Sequence, residues 1–172
     1  MSGRKNDRDS GELAALQAAL AAEHAAVYGY GVVGGRVREG RRTEAQTAYD
    51  AHRARRDALA REVRDLGAEP VAASAAYALP FPVEDSVAAV RLAAELEERV
   101  AGVYSDLVRA TGDARRREAA GALREAAVRA VRWRGGSVAF PGLAERSVTA
   151  GDPAVTGAGP SATEAGRAAS TS

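Results

Sequence analysis

The stretch LAALQAALAAEHAAVYGY, from Leu13 to Tyr30, decides the architecture. Leu13, Leu16, Leu20, Glu23, Val27 and Tyr30 recur at alternating steps of three and four residues, which places them on one face of an α-helix. Ser10 ahead of it reads as an N-cap, and Gly34-Gly35 behind it as a stop, so a helix is predicted over about residues 11–33. A glutamate sits inside this otherwise apolar stripe. That conflict is the first functional clue, because a buried carboxylate is costly unless it is paired.

Three more segments carry the same period. Ala45, Ala48, His52, Leu59, Val63 and Leu66 predict a second helix over about residues 43–66, ended by Gly67. Ala89, Ala93, Leu96, Val100, Val103 and Leu107 predict a third over about residues 83–110, stopped by Thr111-Gly112. Ala120, Leu123, Ala127 and Ala130 predict a fourth over about residues 113–134, stopped by Gly135-Gly136. The short links between helices one and two and between helices three and four predict antiparallel pairs. The link between helices two and three is about sixteen residues long and holds Tyr77-Ala-Leu-Pro-Phe-Pro82. At full extension it reaches about 50 Å. A helix of 22 residues is about 33 Å long. The link therefore spans the bundle and sets helices two and three parallel, whereas a decorated loop in an up-down-up-down bundle is the plainer alternative.

The composition agrees. The chain has 172 residues, with 24 Lys and Arg against 23 Asp and Glu, a net charge of +1 that gives no global attraction to nucleic acid or anionic lipid. There is no cysteine, which excludes disulfides, thiolate metal sites and thiol catalysis. Residues 1–10 are polar and lack the apolar run of a secretory signal, and no stretch is long enough to span a bilayer. The expected location is cytoplasmic. Residues 1–10 are expected to be a flexible N-terminus, 11–143 the bundle, and 144–172, rich in Gly, Ala, Ser and Thr, a disordered tail.

The ionisable residues near the apolar faces are few. His52 is central on helix two, flanked by Arg55 and Arg56. On helix one, Glu23 lies about 50° to one side of the stripe and His24 about 50° to the other, and on helix three Glu97 lies about 60° off centre. In the crossover topology Glu23, His52 and Glu97 fall within roughly 5 to 8 Å of one level. Helix four offers no inward carboxylate, since Glu118 and Glu125 fall on its Arg-rich face. An internal echo ties helices one and three: Glu23 and Tyr30 recur as Glu97 and Tyr104, each a Glu followed seven residues later by a Tyr.

On these residues the chain resembles the ferritin-like superfamily. More narrowly, it is similar to the uncharacterised ferritin-like domain proteins of high-GC Gram-positive bacteria, a domain of unknown function. The carrying motifs are LQAALAAEHAAVYGY (16–30), AHRARRDAL (51–59), YALPFP (77–82), AELEER (94–99) and the closing FPGL (140–143). The resemblance implies an all-α, ferritin-like four-helix bundle with a long crossover between helices two and three, and it brings no activity. Ferritin-like di-iron sites use a Glu on each of two helices and a Glu-x-x-His on each of the other two. By that resemblance Glu23 and Glu97 match the single glutamates and His52 the first histidine. The Glu position before His52 is Tyr49, and the second histidine position is Val128. A ferroxidase is therefore not expected.

Three readings follow. In one, the inward charges form a metal-free network, with Arg55 or Arg56 neutralising the glutamates, in a non-enzymatic structural or binding module that forms a homodimer or meets an unidentified protein partner. In another, Glu23, His52 and Glu97, with His24 a weaker ligand, hold Fe, Mn or Zn, and oxidoreductase activity becomes conceivable. In the third, a di-metal oxidase or oxygenase uses atypical ligands, Tyr49 or a solvent carboxylate included. No nucleic-acid or membrane partner is expected.

Overall fold

The computed structural model describes the backbone of residues 2–135 and the side chains from Asp9 onward. Within them lie four helices: α1 (Ser2–Arg36), α2 (Glu39–Asp65), α3 (Ser86–Ala110) and α4 (Asp113–Arg134). They form a helical bundle, and no strand occurs among the described residues. None of the helices is long and apolar enough to cross a membrane.

The predicted ends hold at Gly67 and Gly135, whereas α1 runs through the expected stop at Gly34-Gly35 to Arg36. Gly67 and Gly135 both take left-handed conformations just after α2 and α4, at a φ that glycine adopts without a Cβ penalty. The starts are less legible. Helix α1 begins at Ser2, so residues 2–10, expected to be flexible, continue the helix, and Ser10 lies inside it rather than capping it. Helix α2 begins at Glu39, leaving only Val37 and Arg38 between α1 and α2. Helix α3 begins at Ser86, where the Asp85 side chain accepts from the Ala88 backbone N–H at 2.7 Å. Val83, expected in the first turn, is instead a buried anchor of the preceding segment. The expected tail and the closing Phe140–Leu143 motif lie outside the described residues.

Helix α3 packs at backbone distance against both α1 and α4, and α1 packs against α2 as well. That double packing widens the buried face of α3 to include Leu92, Ala94, Glu97, Ala101 and Tyr104 beside the predicted seam. Among the described residues α2 meets α1 alone at backbone distance, and reaches α4 through long side chains: Arg55 to Glu125, and Glu62 to Arg115. The α2–α3 link, residues 66–85, is tied at both ends to α1. Gln17 donates to the Glu69 carbonyl and accepts from the Val71 N–H, while Arg36 donates to the Glu84 carbonyl; next to it the Arg38 N–H, between α1 and α2, donates to Ser86 Oγ at the start of α3.

The α1–α3 contact is close at Gly29. A Cβ built there lies 2.5 Å from Leu96 Cδ1, whereas one on Gly31 meets nothing within 4 Å. Gly31→Ala is therefore expected to stabilise the chain by about 1 kcal/mol through helix propensity. In Gly29→Ala, overpacking of about 1–3 kcal/mol offsets that gain. Urea melts of the two variants measure the difference, and an equal gain in both would refute the close approach.

Candidate functional site: a buried charge network

The two glutamates and the histidine singled out from sequence meet in the core. Glu23, His52 and Glu97 are each 0% exposed. His52 Nδ1 lies 2.6 Å from Glu23 Oε2, and Nε2 lies 3.2 Å from Glu97 Oε1. The imidazole is thus a bridge, with one carboxylate on each ring nitrogen. The ring of Tyr30 stacks on it, centroids 5.2 Å apart.

The sequence echo becomes a reciprocal exchange. Tyr30 donates its hydroxyl to Glu97 Oε1 and Tyr104 donates to Glu23 Oε1, both at 2.7 Å. Each tyrosine serves the glutamate of the other helix, not the one seven residues away on its own. Two antiparallel helices carrying the same Glu–Tyr spacing bring each Glu level with the other helix's Tyr. The pairing of 30 with 97 and of 23 with 104 is that register.

The fourth member was not expected. Arg129 of α4 donates through Nε to Glu97 Oε1 at 2.6 Å, and its Nη1 lies 3.7 Å from Glu125. The predicted neutralisers do not do this work. Arg55 pairs with Glu125, and Arg56 turns to its neighbour Asp57. The cause is the orientation of α4. Its buried residues are Ala119, Ala122, Ala126, Ala130 and Trp133, while Ala120 is exposed. The true inward face is rotated by about 80° from the predicted one, which moves Arg129 from the outer surface to the edge of the core. An alanine-rich helix gives the periodicity little contrast, so small apolar residues on the outer face pull the predicted face toward themselves.

The protonation states follow from these contacts. Burial alone pushes the His52 pKa down, but the hydrogen bonds and negative charges of Glu23 and Glu97 outweigh it and hold the pKa above its ordinary 6.5. Burial pushes Glu97 up, and His52 and Arg129 together bring it below its ordinary value. Burial lowers Arg129, and its bond to Glu97 more than restores it. Burial, with the adjacent carboxylate, raises both tyrosines, so they remain hydroxyl donors. Glu97 is thus a carboxylate held between an imidazolium and a guanidinium. Glu97 Oε1 accepts three times, whereas Glu97 Oε2 and Arg129 Nη2 are buried without a hydrogen-bond partner.

Other candidates fall outside the network. His24 is half-buried and is not among the partners of either glutamate. Tyr49 lines an open groove between α1 and α2 with Gly31, Gly34 and Asp50. Val128 is 44% exposed and the Glu125 side chain 52%, so α4 turns both away from the core centre. Among the described residues no group of three or more histidine and acidic side chains is arranged to hold a metal ion. The geometry supplies a reason: the carboxylates face opposite nitrogens of one ring, so they do not converge with a single imidazole nitrogen on one point.

Fold and site define, among the described residues, an all-helical protein with a tyrosine-flanked cluster of paired ionisable groups at its centre. A family model described as Domain of unknown function (DUF4439) matches residues 15–145, and the chain belongs to that family. It is also similar to a solved structure, that of a conserved hypothetical protein, rv2844, from Mycobacterium tuberculosis. The two are 37% identical with a TM-score of 0.71, over 73% of this chain and 96% of that one. No match occurs among curated proteins.

Proposed function

We propose that this is a ferritin-like helical module in which the position of a di-iron centre is taken by an ion-pair network, and that it acts as a structural or binding protein rather than a ferroxidase. The observation that carries the reading is Arg129 on Glu97. A guanidinium bonded to a glutamate that matches a ferritin-like ligand position supplies the positive charge that a metal ion would otherwise bring. His52 completes the neutralisation by bridging both carboxylates. The crossover topology is supported by the ties of the α2–α3 link, which bind one end of it near Gln17 and the other near Arg36 of α1. A link that runs back along α1 starts α3 at the same end of the bundle as α2, which makes α2 and α3 parallel.

The alternative, Fe, Mn or Zn on Glu23, His52 and Glu97, requires more than adding an ion. His52 must lose a proton and turn away from one carboxylate, and Arg129 must leave Glu97. Anaerobic titration with Fe(II), Mn(II) and Zn(II), read as metal per chain after desalting, separates the two. The expected result is no stoichiometric uptake by the wild type. Stoichiometric uptake that is lost in His52→Ala would overturn the proposal. A homodimer or an unidentified protein partner fits the binding-module reading, with cytoplasmic residence as its setting.

A further inference from the structure

We infer that the groove between α1 and α2 is the docking site for the uncharged segment that follows α4, residues 136–143, with Phe140 laid over Gly34 and Tyr49. That segment lies outside the described residues, and its sequence sets it apart from α4. Residues 135–144 read GGSVAFPGLA and carry no charge, directly after an arginine-rich helix. The family match runs to residue 145, so the shared sequence continues through this segment. Val138, Phe140 and Leu143 gain by leaving water, and they need an apolar surface to do so.

The groove offers that surface. It has a volume of about 540 Å³. Its α1 side is bare backbone at Gly34, where an added Cβ meets nothing within 4 Å. Tyr30 and Tyr49 supply an aromatic lining. The polar side chains of the α2 wall are already engaged. Gln46 donates to Asp50 at 3.1 Å, Thr47 donates to the Thr43 carbonyl at 2.8 Å, and Arg42 pairs with Glu39 at 2.7 Å. The wall therefore asks for no charged ligand, and an occupant gains by covering glycine backbone and tyrosine.

The chain leaves α4 beside this groove. Arg41, in the first turn of α2, lies over the Trp133 ring at 4.0 Å and donates to the Arg132 carbonyl at 3.1 Å. Its neighbour Arg42 lines the groove. Gly135 takes a left-handed conformation that turns the chain off the axis of α4. From there the five residues to Phe140 reach about 17 Å when extended. A helix with its side chains is about 10–12 Å across. Phe140 can thus pass the first turn of α2 and meet Gly34 on its far side. Docked there, the segment covers Tyr30, whose hydroxyl holds Glu97, and closes the groove to other ligands. The inference does not depend on whether the core network takes a metal.

The test is nuclear Overhauser contacts in the full chain carrying ¹³C-labelled phenylalanine. The chain has two phenylalanines, and Phe81, beside Arg91 of α3, serves as the internal control. The expected result is contacts from the Phe140 ring to the Gly34 α-protons and the Tyr49 ring. Phe140→Ser should remove them and shift the amides of Gly34 and Gln46. Gly34→Leu should fill the place of the ring and remove the contact with Tyr49, while the contacts of Phe81 persist. Absence of any contact between Phe140 and α1 or α2 overturns the proposal. So does a Phe140→Ser spectrum unchanged at Gly34 and Gln46. Contacts found only between differently labelled chains in a mixed sample give the groove to a second copy and overturn it as well. Because Phe140 lies beyond the four helices, Phe140→Ser keeps the test decisive if Gly34→Leu fails to fold. The metal titration reads the core alone, so the two readings fall separately.

Discussion

Arg129→Met is expected to lower stability by about 3–5 kcal/mol, the range for removing one partner of a buried ion pair. For a chain of this length that corresponds to a fall in melting temperature of roughly 10 °C. Little of the loss is lost packing, because methionine keeps most of the buried stem. The cost arises at Glu97, which is fully buried and would keep its charge with only His52⁺ left to share between two carboxylates. The control is Arg129→Met combined with Glu97→Gln, which removes the stranded charge together with its partner. The double variant should recover much of the stability, giving a large coupling energy in the cycle. If the two single effects simply add, Arg129 and Glu97 are not energetically paired, and the network reading of the core fails with them.

The second large effect is a dependence of stability on pH with two limbs. His52 has a folded pKa above its ordinary 6.5. Its contribution is therefore fully present below about pH 6.5 and is lost as pH rises through the folded value. Glu97 has a folded pKa below its ordinary 4.5. Its contribution is present above about pH 4.5 and is lost as pH falls through the folded value. The plateau contributed by this pair thus lies between those two ordinary values, and stability declines on the alkaline side as the imidazolium loses its proton. Urea unfolding from pH 4 to 9 should trace this shape. In His52→Gln the alkaline limb due to the imidazole should vanish, although the whole curve sits lower because both glutamates lose a charged partner. An alkaline decline of unchanged size in that variant would mean that His52 is neutral in the folded protein.

A core of paired charges differs from a reactive one in how it responds to substitution. In the ion-pair reading each member is held by at least one partner from another helix, so the cluster fixes the register of α1, α2, α3 and α4 around one point. Tyr30 and Tyr104 extend that effect, since each hydroxyl bond spans α1 and α3. Buried polar clusters of this kind lend specificity to alanine-rich bundles, in which apolar packing alone discriminates poorly between neighbouring registers.

Much of this was legible in the residues. The 3.6-residue period located all four helices, and the two helix-ending glycines at 67 and 135 were placed correctly because left-handed backbone has a strong residue preference. The inward Glu23, His52 and Glu97 stood out as charges on apolar faces, and the Glu–Tyr echo marked both helices that supply the tyrosines. Helix starts were less legible: α1 continues to Ser2 and α2 begins at Glu39, through sequence that is polar but still compatible with a helix. Local propensity does not forbid such extensions, and only tertiary contacts or their absence end them.

The sequence by itself determined the helical class, the four helices of the described residues and the three ionisable groups at the centre, because periodicity and burial cost are properties of single segments. Only the tertiary structure decided what those groups are bound to. Arg129 became a core residue through a rotation of α4 by about 80°, which an alanine-rich helix does not encode locally. The crossed pairing of Tyr30 with Glu97 and Tyr104 with Glu23 depends on the antiparallel register of α1 and α3. Arg55, predicted to face the glutamates, was drawn instead to Glu125 on α4. In each case the deciding quantity is a distance between helices, set when all of them pack at once.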